Sequence, residues 1–137
     1  MLRLLALAIL IASSSSLYAG EIEKQLVDRW YTALAAVNRT EITDLLSDKA
    51  KITLGDLDIE QNKTEFIASL DEWEDAMKGS TIRHALESDE NGAVTVTVCY
   101  KFPDNEALGR EVFTFDAGKI LESVQETIAE SCETFPE

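Results

Sequence analysis

The apolar positions of this chain keep one period up to Gly79 and a different one beyond it. Ile22, Leu26, Trp30, Ala33 and Val37 recur at spacings of four and three, with Gln25, Asp28, Arg29 and Thr32 turned elsewhere, which predicts a helix. Asn38-Arg39-Thr40 ends it, and Thr40 is the expected cap of a short second helix that turns Ile42, Leu45 and Leu46 inward. "AKITLGDLDIE" reads as a small hairpin: Ile52 and Leu54 precede a Gly55-Asp56 turn, and Leu57 and Ile59 alternate after it. Asn62 opens a third helix, with Glu65 at capping-box spacing. Phe66, Leu70, Trp73 and Met77 form its apolar stripe, and Gly79 ends it.

After Gly79 the period drops to two. "TIRHALES" runs into Asp89-Glu90-Asn91-Gly92, where Asn-Gly is a strong hairpin signal. "AVTVTVCYKF" places Val94, Val96, Val98 and Tyr100 on one face and Thr95, Thr97, Cys99 and Lys101 on the other. A loop with Pro103 and Gly109 leads to "REVFTF", and Asp116-Ala117-Gly118 turns the chain into "KILESVQET". On that last strand Ser123 and Gln125 share one parity while Ile120, Val124 and Ile128 share the other, so its inward face stays open. Helices first and a strand meander afterwards make an α+β domain, with helices on one face of a single sheet. Such a layer leaves room for a pocket at one open end.

The N-terminal pattern leads us to expect a chain that leaves the cytoplasm. Arg3, the apolar run Leu4–Ala12 and the small residues up to Leu17-Tyr18-Ala19 follow the secretory signal pattern. We therefore expect a signal peptide over 1–19, cleaved after Ala19, and one domain over 20–137, secreted or periplasmic. The apolar run is too short for a permanent span, so no membrane attachment is expected after cleavage. The whole chain carries a net charge of −14, and loss of Arg3 makes it more negative still. That surface disfavours nucleic acid and anionic lipid as partners. In an oxidising compartment the only two cysteines, Cys99 and Cys132, are expected to form a disulfide. One histidine and no free thiol make a zinc site improbable. Asp56, Asp58 and Glu60 lack the glycine and distal glutamate of a calcium loop. No glycine-rich phosphate loop or G-x-S-x-G elbow occurs, so no metal or cofactor is expected. "NRT" at 38–40 and "NKT" at 62–64 match the glycosylation acceptor pattern, but both fall at helix boundaries where a cap explains them equally well.

Three stretches, "DRWYTALAAVNRTEITDLLSDKAKI", "HALESDENGAVTVTV" and "REVFTFDAGKI", resemble the nuclear transport factor 2-like superfamily, including its SnoaL-like and ketosteroid-isomerase-like branches. The resemblance covers roughly residues 25–126 and implies a cone-shaped, curved antiparallel sheet with about three helices on its concave face. It does not imply one activity, because this fold hosts enzymes, binders and adaptors. The isomerase branch has a tyrosine donor on its first helix, an aspartate base after its first strand and a protonated acid on a late strand. Those roles align here with Trp30, Leu54 and Glu111. Indole is a weaker, donor-only group and leucine accepts no proton, so the isomerase reaction and steroid substrates are not expected.

His84 shares parity with Ile82 and Leu86, and Glu111 with Phe113 and Phe115, so both polar groups are candidates for the inner face. As a pair across the sheet they form either an acid/base dyad or two satisfied groups in a partly wet cavity. Trp30, Trp73, Tyr100 and Phe113 line an apolar pocket in one reading and are plain core in the other. Three functions follow. The favoured one binds a small apolar ligand, walled by Trp30, Leu54, Trp73, Tyr100 and Phe113 and oriented by His84 and Glu111. The second is an isomerase- or dehydratase-like enzyme with His84 as base and Glu111 as acid. The third, compatible with binding, is a homodimer formed through the Thr95/Thr97 face.

Overall fold

The computed structural model describes residues 15–136, with side chains from Gly20 onward. Residues 1–14 of the expected signal peptide lie outside the described residues, and the expected cleavage point after Ala19 falls within the first helix, α1 (Ser15–Ala36). None of the described helices is long and apolar enough to cross a membrane. The chain continues through α2 (Arg39–Leu45), β1 (Leu46–Leu54), a 3-10 turn (Gly55–Leu57), β2 (Ile59–Asn62), α3 (Lys63–Ala68) and α4 (Leu70–Met77). Four strands follow in succession: β3 (Thr81–Glu90), β4 (Ala93–Lys101), β5 (Glu106–Asp116) and β6 (Lys119–Ala129).

The strands form one six-stranded sheet in the order β2-β1-β6-β5-β4-β3. All neighbours are antiparallel except β1 and β6, which pair in parallel, so the expected all-antiparallel sheet is in fact mixed. Hairpin turns dictate antiparallel pairing only for neighbours in sequence, and four other strands separate β1 from β6 along the chain.

Local chemistry explains the helix ends. Asn38, not Thr40, caps α2: its side-chain oxygen accepts from the Glu41 amide at 3.1 Å, while Thr40 is already helical. Asn62 caps α3 with a full capping box, accepting from Glu65 N at 2.9 Å while its own amide donates to Glu65 Oε1 at 3.2 Å. The two glycosylation-pattern asparagines thus both serve as caps. The single third helix expected from the stripe is broken at Ser69, whose hydroxyl donates back to Phe66 O at 2.6 Å.

The helical face of the sheet carries the core. α1 contributes Leu26, Val27, Trp30, Tyr31, Ala33 and Leu34, a broader stripe than expected, while Ile22 stays 41% exposed. Val94, Val96 and Val98 of β4 and Phe113 of β5 meet it from below. On β6 the alternation breaks, because Thr114 pairs with Glu122 but Phe115 pairs with Ile120, leaving Leu121 as an extra residue. That bulge turns Ile120 and Ser123 inward together and leaves Val124 44% exposed.

The opposite face is not bare. Cys99 and Cys132 form the expected disulfide, with Cα atoms 5.7 Å apart, and Leu108 and Phe135 pack against it. Closing a loop of 33 residues contributes about 4 kcal/mol in the chain-entropy account. Arg110 pairs with Glu87 at 2.9 Å and with Glu126 at 3.7 Å, and Thr97 is buried beside them. The Thr95/Thr97 face expected to meet a second copy is therefore partly covered by the chain's own side chains and C-terminal segment.

Candidate functional site

Glu111 sits where a carboxylate is costly, on the inner face of β5 opposite Val96 and only 1% exposed. Tyr31 of α1 donates to its Oε2 at 2.6 Å, and Tyr100 of β4 donates to its Oε1. Burial raises the Glu111 pKa to about 7, although both tyrosine hydrogen bonds favour the ionised form and pull the other way. Both phenols are pushed well above their ordinary value, first by burial and then by the negative charge of Glu111. Near neutral pH this triad exchanges one proton at the carboxyl and holds two phenolic ones.

Aromatic packing fixes the triad. The Tyr31 ring meets Phe113 edge-on at 6.0 Å. Tyr100 meets Trp73 edge-on at 6.1 Å and stacks on Phe102 at 6.2 Å. Trp73 is itself pinned, because its indole donates to Leu34 O at the end of α1 at 2.9 Å.

Two concavities adjoin this cluster and share Leu54, Leu57, Tyr100 and Gln125 on their walls. One, of about 320 Å³, reaches Glu111 beside Gly109 and Ala107. The other, of about 590 Å³, runs between β1, β2 and the α3–α4 pair and is lined by Phe66, Trp73 and Phe102. Gly109 on its wall is closely packed, since a Cβ there would stand 3.3 Å from both Val98 Cγ1 and Glu126 O. Polar side chains also reach these walls, Asp56, Gln125, Glu126 and Thr127 in the smaller space and Gln61, Ser69 and Glu72 in the larger. Such apolar walls with a few polar groups suit a small organic molecule.

The sequence-derived candidates divide among these places. Leu54, Trp73 and Tyr100 line the large concavity, and Leu54, Tyr100 and Glu111 the smaller one. Trp30 and Phe113 are 0% exposed and belong to the core. His84 faces elsewhere. Its Nε2 lies 2.7 Å from Asp28 Oδ1, and with Lys24, Val27 and Leu86 it lines a separate concavity of about 180 Å³. The expected His84–Glu111 dyad is therefore not assembled, because Tyr31 stands between the two. The Tyr31 ring stacks on the imidazole at 4.5 Å while its hydroxyl occupies the carboxyl. Trp30, the residue aligned there by the resemblance, does not reach Glu111; the α1 side chain that donates to it is the next residue, Tyr31. A second stripe, Val27-Tyr31-Leu34 at spacings of four and three, carried the signal for it.

Among the described residues, no group of three or more His, Cys, Asp and Glu side chains could hold a metal. Asp56, from the acidic run in the β1–β2 connection, accepts instead from the Thr127 amide at 2.7 Å.

No family model and no curated protein matches this chain in sequence. Its structure does have similar solved ones. An NTF-2 like protein of unknown function from Burkholderia xenovorans LB400 superposes with a TM-score of 0.66 at 14% identity, over 85% of this chain and 94% of that one. The epoxide hydrolase/cyclase-like enzyme SalBIII, named for pyran ring formation in the polyether salinomycin, gives 0.68 at 16% identity, over 78% and 91%. A protein with a ketosteroid isomerase-like fold from Catenulispora acidiphila DSM 44928, in complex with trimethylamine, gives 0.60 at 8%, over 77% and 87%. With its helices on one face of a six-stranded mixed sheet, this chain has the nuclear transport factor 2-like fold.

Proposed function

We propose that this chain is a secreted or periplasmic protein that binds one small, uncharged, largely apolar molecule between β1, β2, α4 and the Tyr100 edge of the sheet. The observation that carries the reading is Glu111, a buried carboxyl tied to two tyrosines at the floor of an opening whose shared wall leads into the larger apolar space. The disulfide supports an oxidising compartment. An uncharged ligand is favoured because Glu111 is held partly neutral by burial and the chain as a whole is strongly negative. Such a ligand would place a polar atom at the triad and its apolar body against Leu54, Trp73 and Phe102.

Enzymatic turnover has less behind it. Leu54, which carries no proton acceptor, lines the opening beside its strand neighbour Gln125, and His84 is engaged elsewhere. The binding reading is tested with the neutral fluorescent probe N-phenyl-1-naphthylamine. Saturable binding of one probe per chain is expected, and it should be lost in Ala76→Trp, which fills the large concavity from its exposed α4 edge. Failure of the folded wild type to bind the probe, or equal binding by Ala76→Trp, overturns it.

A further inference from the structure

Two polar atoms at the heart of the domain have no hydrogen-bond partner among the described residues: the indole nitrogen of Trp30 and the hydroxyl of Ser123. Both residues are 0% exposed. A buried donor left unpaired is uncommon in a folded core and calls for an explanation. The two belong to one neighbourhood. Ser123 pairs with Phe113 across β5–β6 and with Ile52 across β1–β6, and the Trp30 ring meets the same Phe113 at 6.5 Å.

That neighbourhood lies directly behind the wall of the large concavity. Gln125, one rung along the inner face of β6 from Ser123, is on that wall. Phe66 is on it too, and its other side stacks on Trp30 with ring centroids 5.5 Å apart. Phe66 is only half-buried and is carried by the six-residue α3, so it is the movable part of the partition.

We infer that Trp30 Nε1 and Ser123 Oγ form a second, deeper polar subsite behind Phe66 that takes the carbonyl oxygen of a ligand whose apolar body occupies the large concavity. The inference rests on the binding reading and adds its ligand class. Indole nitrogen only donates, so the occupant must accept. A carbonyl oxygen has lone pairs for both the indole and the serine hydroxyl and is a stronger acceptor than an ether oxygen, whereas an alkene has no lone pair to offer either. The ligand then carries a carbonyl at the Trp30 end, and its other end meets Tyr100 and Glu111.

The test uses two probes of the same shape, cyclohexanone and methylenecyclohexane, with the two indole N–H signals read by 1H–15N NMR. Trp73 reports occupancy of the concavity, and Trp30 reports the subsite. Saturation with cyclohexanone is expected to shift the Trp30 indole signal downfield, and methylenecyclohexane is expected to leave it in place. The ketone should bind more tightly by about tenfold per hydrogen bond formed. Phe66→Ala should strengthen ketone binding by removing the partition, and adding Ser123→Ala should return part of that gain. If Trp73 responds to both probes while Trp30 responds to neither, in wild type and in Phe66→Ala alike, the subsite is wrong and the binding reading stands. If Trp73 responds to neither probe, the binding reading fails with it. A Trp30 signal already at a hydrogen-bonded position and unmoved by ketone means a resident water holds the two groups, which also overturns the inference.

Discussion

Replacing Glu111 with Gln keeps the side chain's size and removes its charge, so it isolates the consequence of burying a titratable group in the core. The Glu111 pKa stands at about 7 in the folded chain against an ordinary 4.5. Below 4.5 the carboxyl is protonated in both folded and unfolded states and stability does not depend on it. Between 4.5 and 7 the unfolded chain has lost this proton while the folded chain keeps it. The unfolded state then binds fewer protons, so stability falls as pH rises through that window and levels off above it. From pH 5 to pH 8 the wild type should lose about 2–3 kcal/mol through this one group. Glu111→Gln should lose none of it. The amide offers the two tyrosines one acceptor and one donor, as the protonated acid does, and keeps that pattern at every pH. The variant should therefore match wild type at pH 5 to within about 1 kcal/mol and be more stable at pH 8. Urea unfolding of both proteins across that range measures the difference. Parallel stability curves for the two proteins would refute the claim that Glu111 is the buried, proton-holding group.

The neighbouring contacts yield further expectations. Tyr31→Phe and Tyr100→Phe each remove a hydrogen bond that lowers the Glu111 pKa, so each should raise it above the wild-type value, as followed by the infrared carbonyl band of the protonated acid; a downward move contradicts the assigned geometry. Replacing Cys99 and Cys132 together by serine should cost about 4 kcal/mol in urea unfolding, and a near-neutral result would mean the loop is held closed by other contacts. His84→Ala should leave affinity for N-phenyl-1-naphthylamine within about twofold, since His84 faces the concavity on the far side of Tyr31; a tenfold loss would restore the dyad. Probe affinity itself should weaken as pH rises above 7, where Glu111 becomes charged at the cavity floor, and affinity unchanged up to pH 9 would place the probe away from Glu111.

Features written in local spacing could be read from the sequence. The Asn62/Glu65 capping box, the Val94-Val96-Val98 face and the inward parity of Glu111 each follow from neighbours within four residues, and each is present. What escaped depended on distant partners or on a single extra residue. Spacings of three and four admit two adjacent residues to one helix face, so Tyr31 was hidden beside the more conspicuous Trp30. The bulge at Leu121 put Ile120 and Ser123 on one side of the sheet, which strict alternation forbids. The parallel pairing of β1 with β6 brings Leu54 opposite Gln125 and closes the wall of the binding space, yet no pattern in either strand encodes it. Parity placed His84 on the inner face correctly, but α1 then divides that face, with Tyr31 separating His84 from Glu111.

The most direct test of ligand binding at this place is a residue-resolved map of where N-phenyl-1-naphthylamine sits, by 1H–15N and side-chain NMR at one probe per chain. Shifts should concentrate at Leu54, Trp73, Tyr100 and Gln125, with the exposed Val124 and Ile128 on the opposite face unmoved. Shifts confined to Val124 and Ile128, or spread over the whole chain without saturating, would contradict the account.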